Sequence, residues 1–152
     1  MTPYVVTCPR CGRKNRVPAA ARGLPRCGNC GAPLPWIADA RDDDFAEIAE
    51  RSAIPVLVDL WAPWCGPCRT VSPALERLAS EFAGRVKLVK VNVDEAHELA
   101  ERFSARGIPT LLLMDDGTVI TRRTGALPDA SLRSWLEDAI REAQPRDSAA
   151  HA

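Results

Sequence analysis

The sequence predicts an α/β fold, a central mixed β-sheet flanked by helices, preceded by a small cysteine-rich unit. Three observations predict it. Apolar runs and helical stripes alternate from residue 34 in the order β-α-β-α-β-α, which right-handed crossovers turn into parallel centre strands. Two β-rich runs then flank Asp115-Asp116-Gly117, the mark of an antiparallel edge hairpin. Residues 1–33 instead carry four Cys, four Gly and five Pro, with few large apolar side chains. Such a segment cannot fold on hydrophobic burial alone and needs a staple.

The elements follow in order. Leu34–Ala38 reads as a short strand. Asp42–Ser52 places Phe45, Ile48 and Ala49 at helical spacing, with acids in the first turn. Pro55–Trp61 (PVLVDLW) is a nearly continuous apolar run, the pattern of a strand buried on both faces. Cys65 to Phe82 reads as a helix with Val71, Leu75, Leu78 and Phe82 on one face. Pro73 lies inside it and is expected to kink it by removing a backbone bond. Val86–Val93 is a second central strand, and Ala96–Phe103 a short helix. Asp129–Ala143 is a last helix, opened by Pro128-Asp129, with Leu132, Trp135, Leu136 and Ile140 inward. The divisions are therefore residues 1–33, residues 34–143, and a flexible tail at 144–152.

Charge and composition narrow the function. No apolar run approaches the roughly 20 residues of a membrane span. The N-terminus has no apolar core of a signal peptide. The expected setting is cytoplasmic and reducing, where paired cysteines serve metal binding or catalysis more often than structural disulfides. Residues 1–38 hold six basic residues and no acid, whereas residues 39–152 carry a net charge of −6. The basic segment lacks interleaved aromatics, so no nucleic acid is expected as a partner.

Three Cys-x-x-Cys pairs occur, and they divide into two kinds. Cys8, Cys11, Cys27 and Cys30 have the spacing of a four-cysteine zinc site. Four thiolates would surround one tetrahedral ion at about 2.3 Å. Gly12 and Gly31 follow the second cysteine of each pair and permit a tight turn that brings N–H groups toward the sulfurs. An iron site of similar geometry stays open, zinc being the commoner structural choice. The third pair, in Trp64-Cys65-Gly66-Pro67-Cys68, follows a buried strand and opens a helix. A cysteine at a helix N-terminus has its thiolate stabilised by free N–H groups and the macrodipole. Pro67 sits in the first turn, where its missing N–H costs nothing. The same unit holds no other Cys, and His97 is its only His outside the tail, so Cys65 and Cys68 read as a reactive pair. His97 and His151 read as solvated. Asp59 is anomalous in another way: a carboxylate interrupts an apolar strand six residues before Cys65. Burial there would raise its pKa toward neutrality.

WAPWCGPCR, with VDLW before it and GIPT, DDG and TG after it, closely resembles the thioredoxin family over about residues 34–143. The four-cysteine extension resembles that of the thioredoxin 2 type. The resemblance implies a thioredoxin fold with an N-terminal zinc ribbon, and protein-disulfide reductase activity. It implies Cys65 as nucleophile and Cys68 as the resolving cysteine. Asp59 would help deprotonate Cys68, and Lys90 would pair with Asp59. Pro109 would be a cis-proline beside the dithiol, leaving the Ile108 backbone to meet an extended substrate. Trp64, Gly66, Pro67 and Gly125 would complete the substrate surface, with Gly107 also near it and Trp61 packing beside it. The implied partners are a thioredoxin reductase, fed by NADPH, and disulfide-containing proteins such as ribonucleotide reductase, peroxiredoxins or methionine sulfoxide reductases. Neither NADPH nor flavin is expected to bind this chain, which has no Gly-rich phosphate loop, and a monomer is expected. Two alternatives stay open on sequence: an isomerase or oxidant of higher potential, and a holdase that docks partners on the ribbon.

Overall fold

The computed structural model describes the backbone of residues 1–151 and the side chains of residues 1–143. The tail expected at 144–152 lies outside the residues whose side chains are described.

The chain begins with a hairpin that periodicity in residues 1–33 does not mark. β1 (Tyr4–Thr7) pairs antiparallel with β2 (Lys14–Val17). Val6 and Val17 pack with Cys8, Cys27, Ala32, Leu34 and Trp36 into a small separate core. The next strand, β3, spans Ile37–Asp39 rather than Leu34–Ala38. Pro33 and Pro35 have no N–H to give a ladder, and Leu34 and Trp36 turn into the N-terminal core instead.

The remaining elements are β4 (Val56–Trp61), α1 (Gly66–Glu81), β5 (Lys87–Asn92), α2 (His97–Arg102), β6 (Thr110–Asp115), β7 (Thr118–Thr124) and α3 (Asp129–His151). The sheet order is β3-β5-β4-β6-β7. β3, β5 and β4 run parallel, and β6 and β7 antiparallel to their neighbours. This is the mixed sheet with an edge hairpin that the sequence predicts.

Strand alternation feeds two cores. Leu57, Leu88, Leu111 and Leu113 meet Val71, Leu75 and Leu78 of α1 and Leu132, Leu136 and Ile140 of α3. Val56, Val58, Leu60, Val89 and Leu112 point the other way, toward Phe45, Ile48, Leu99 and Phe103. The helix expected over Asp42–Ser52 contracts to one π-helical turn, Ala46–Glu50, closed by Arg51 N–H on the Ala46 carbonyl at 3.0 Å. The Ile48 carbonyl, which a continuing α-helix would give to the Ser52 N–H, accepts from the Lys87 ammonium at 2.7 Å. Pro73 falls inside α1, as expected.

Lys87 joins the N-terminal unit to the sheet. It is 1 % exposed. Its ammonium donates to the Ala19 carbonyl at 2.5 Å and lies 4.0 Å from the Trp36 ring centre. The Trp36 indole N–H donates to the Pro18 carbonyl at 2.9 Å, one residue away. Burial holds the Lys87 pKa down to about 8. Two carbonyls and a ring face together offset the cost of enclosing this charge. Lys87→Met would keep the stem and strand both carbonyls. Chemical denaturation should show a loss of about 2–4 kcal/mol; an unchanged midpoint and slope would mean the ammonium does not hold this junction.

Candidate functional site

The dithiol sits where β4 ends and α1 begins. Cys65 is the N-cap of α1, with φ −87° and ψ 110°. Its Sγ accepts the Cys68 N–H at 3.2 Å. The two cysteines are joined as a disulfide, their Cα atoms 5.3 Å apart, and both are buried. Pro67 occupies the first turn, as its missing N–H predicts. The Arg69 guanidinium donates twice to the Pro63 carbonyl, at 2.8 and 3.1 Å, and so fixes the approach loop.

Trp64 is 69 % exposed, its indole N–H held by the Asp94 carboxylate at 3.0 Å. A Cβ on Gly66 or Gly125 would meet no atom within 4 Å. Gly107 differs: a Cβ there would lie 3.0 Å from the Thr124 methyl, so packing against β7 accounts for it. The Ile108-Pro109 peptide is cis, the Ile108 carbonyl O is 3.8 Å from Cys65 Sγ, and the Pro109 carbonyl accepts the Gly125 N–H at 2.8 Å. The structure thus brings Trp64, Gly66, Pro67 and Ile108-Pro109 around Cys65. Trp61 is half-buried and packs with Ala62, Cys65 and Cys68. His97 is exposed at the start of α2.

Asp59 lies on β4, six residues before Cys65. It is 2 % exposed, and its Oδ1 has no hydrogen-bond partner among the described residues. Burial raises its pKa to about 7, with Lys90 pulling the other way. Asp59 and Lys90 are register partners on β4 and β5. The Lys90 ammonium, however, is bonded elsewhere: to Ser72 Oγ at 2.9 Å and Glu76 Oε1 at 3.2 Å, both on α1. The expected pair therefore acts through space, not through a hydrogen bond. Ser72 and Glu76 were not among the residues the sequence singled out. Their signal is the four-residue step from Cys68 along one helix face.

The second site is the N-terminal cysteine cluster. The sulfurs of Cys8, Cys11, Cys27 and Cys30 all lie within 4.8 Å of one another. Cys8–Cys30 and Cys11–Cys27 are each 3.6 Å apart, close to the spacing of about 3.8 Å that four thiolates take around a tetrahedral ion. The two knuckles repeat each other. Cys8 N–H bonds the Arg13 carbonyl and Gly12 N–H the Cys8 carbonyl; Cys27 N–H bonds the Ala32 carbonyl and Gly31 N–H the Cys27 carbonyl. Gly12 and Gly31 have φ of +81° and +75°, which a Cβ would resist. N–H groups do reach the sulfurs, among them those of Cys11, 3.5 Å from Cys8 Sγ, and Asn29, 3.4 Å from Cys27 Sγ, while the glycine N–H groups go to carbonyls. The backbone N–H groups of Cys30 and Asn29 hold the Cys27 thiol down to about 6, toward the thiolate a metal needs. The cluster can hold a metal ion. Asn15, unnoticed in the sequence, links the knuckles by donating to Cys27 Sγ at 3.5 Å and accepting the Gly28 N–H at 3.0 Å.

Comparison with known proteins bears on the first site directly. The thioredoxin family model matches residues 36–138. The thioredoxin of Haemophilus influenzae is 48% identical over 99 residues, covering 65% of this chain and 92% of that protein. Thioredoxin 1 of a Nostoc species is 42% identical over 100 residues, covering 66% of this chain and 94% of that protein. Thioredoxin C-3 of Corynebacterium nephridii is 35% identical over 144 residues, 92% of this chain and 98% of that protein. That last alignment is too long to be confined to residues 36–138. Matched through its sheet, its dithiol helix and its edge hairpin, the chain belongs to the thioredoxin family, whose members are thiol–disulfide oxidoreductases.

Proposed function

We propose that this chain is a thioredoxin 2-like protein-disulfide reductase of the cytoplasm, with residues 1–33 as a zinc ribbon and residues 34–143 as the thioredoxin domain. The observation that carries it is Cys65 as the N-cap of α1, disulfide-bonded to Cys68, with a buried carboxyl, Asp59, on the strand that leads into it. In the reduced protein, the Cys65 thiolate attacks one sulfur of a substrate disulfide. That S–S bond breaks, a mixed disulfide forms, and one substrate thiolate leaves. Asp59 takes the Cys68 proton, and the Cys68 thiolate attacks Cys65 Sγ. The second substrate thiol departs, two electrons have passed to the substrate, and Cys65–Cys68 is oxidised. A carboxyl whose pKa is about 7 can carry that proton in either direction at neutral pH. A thioredoxin reductase, drawing on NADPH, returns the pair to dithiol.

The substrate surface is the rim of Trp64, Gly66, Pro67, Ile108, Pro109 and Gly125, whose open glycines support close approach by an extended chain. Cys8, Cys11, Cys27 and Cys30 would hold one zinc ion, whose bonds to the four sulfurs would close the fold of residues 1–33. No helix among the described residues is long and apolar enough to cross a membrane. The protein works as a monomer on protein disulfides and not on nucleic acid.

Cys65→Ser should abolish reduction of a protein disulfide such as insulin. Cys68→Ser should accumulate mixed disulfides on Cys65, seen by non-reducing electrophoresis. Retained function in cells with Cys65→Ser would favour a partner-docking role over reduction. Elemental analysis should find one zinc per chain, lost in Cys27→Ser.

Asp59→Asn separates stability from rate. The folded carboxyl keeps its proton to about pH 7, whereas the unfolded one releases it near pH 4. Asp59's contribution is therefore full below pH 4 and is lost as pH rises through 7. The variant should match the native protein at low pH and exceed it by up to about 4 kcal/mol above pH 8. Its turnover should fall at least about tenfold near neutrality. Equal stabilities at pH 8.5, by urea unfolding, would refute the buried-carboxyl assignment.

A further inference from the structure

The sheet register sets three ionisable residues side by side: Asp39 on β3, Lys90 on β5 and Asp59 on β4. Adjacent strands stand about 4.8 Å apart, and register partners share a face, so Lys90 lies between two carboxyl groups. The outer one is gripped from beyond the sheet. Tyr4, the first residue of β1 in the N-terminal ribbon, donates its phenol to Asp39 Oδ1 at 2.8 Å. Burial, then the Asp39 carboxylate, then Glu76 push the Tyr4 phenol well above its ordinary pKa. Glu76 in turn holds the Lys90 ammonium, with Ser72. Tyr4, Asp39, Glu76, Ser72 and Lys90 thus form one cluster that ends beside Asp59.

We propose that the N-terminal ribbon takes part in the proton step of the dithiol: Tyr4, by holding Asp39, and Glu76, by holding Lys90, are positioning residues that set how strongly Lys90 acts on Asp59. This rests on the reading that Asp59 takes the Cys68 proton. Asp39 and Asp59 compete for one lysine. The Tyr4 hydroxyl satisfies Asp39 and so leaves more of the Lys90 charge to Asp59. Other charged groups line the same cleft of about 590 Å³ as Lys90: Arg41, Asp43, Asp44, Glu95 and the terminal ammonium of Met1. Arg41 is paired with Glu95 at 3.0 Å. Asp59 faces Leu111 on its other flank.

Tyr4→Phe keeps the ring and frees Asp39, which draws Lys90 away, so Asp59 should hold its proton to higher pH. Asp39→Asn removes the competing carboxylate, so Asp59 should release its proton at lower pH. Glu76→Gln, at an exposed position on α1, removes a nearby negative charge and should also lower the midpoint. Each shift should be about 0.3–1 pH unit, the effect of moving or removing one charge at an effective dielectric of about 20. The experiment is carbon-13 titration of the Asp59 carboxyl in the full-length, metal-loaded, oxidised protein. Opposite shifts for Tyr4→Phe and Asp39→Asn support the proposal, because general loosening would move both alike. Unchanged midpoints, or shifts of one sign, overturn it. The dithiol's pH–rate profile is followed in parallel. Midpoints that move while that profile stays fixed support the coupling and overturn the role of Asp59 instead.

Discussion

Helix α1 is locked on the centre of the sheet, and that packing decides the geometry at the dithiol. Val71, Leu75 and Leu78 bury against Leu57, Leu88 and Leu111, each large side chain contributing on the order of 2 kcal/mol. A helix so held can neither slide nor turn. Cys65 therefore remains its N-cap, with the Cys68 N–H aimed at its sulfur. The same packing closes Asp59 away from water, because Asp59 stands on the helix-covered face, two residues beyond Leu57. The apolar core and the reactive chemistry are consequences of one contact surface.

The N-terminal unit depends on the sheet in a different way. Its own core is small, and it borrows Leu34 and Trp36 from the chain that leads to β3. Four sulfurs stand at metal-binding distance, and a metal ion held there would supply the closure that hydrophobic burial cannot. Lys87, Trp36 and Tyr4 then fasten it to the larger domain through the Ala19 and Pro18 carbonyls and the Asp39 carboxylate. The ribbon is a satellite packed on the sheet edge, and one of its three anchors reaches Asp39, the outer member of the row that runs through Lys90 to Asp59.

Much of this is legible in the sequence, for physical reasons. WCGPC after a buried strand, the central strands and the edge hairpin announce themselves through period and turn chemistry. Asp59 stands out because a carboxylate among apolar neighbours is costly. Lys90 is visible, but its bonding is not: Ser72 and Glu76 reach it from a helix eighteen and fourteen residues away. Lys87 is invisible for a related reason. A lysine in a strand reads as solvent-facing, and remote groups, the Ala19 and Ile48 carbonyls and the Trp36 ring, make its burial tolerable. The β1–β2 hairpin is too short and polar to show a pattern. The turn at Ala46–Glu50 looks helical by spacing, yet its Ile48 carbonyl is diverted to Lys87.

The direction of electron flow is the central claim, and the reduction potential of the Cys65–Cys68 couple tests it most directly. The measurement is equilibration of the metal-loaded protein in glutathione buffers, with thiols trapped by alkylation. A reductase requires a value near the about −270 mV known for thioredoxins. A value near about −180 mV or above, in the range of isomerases and oxidants, would contradict the account.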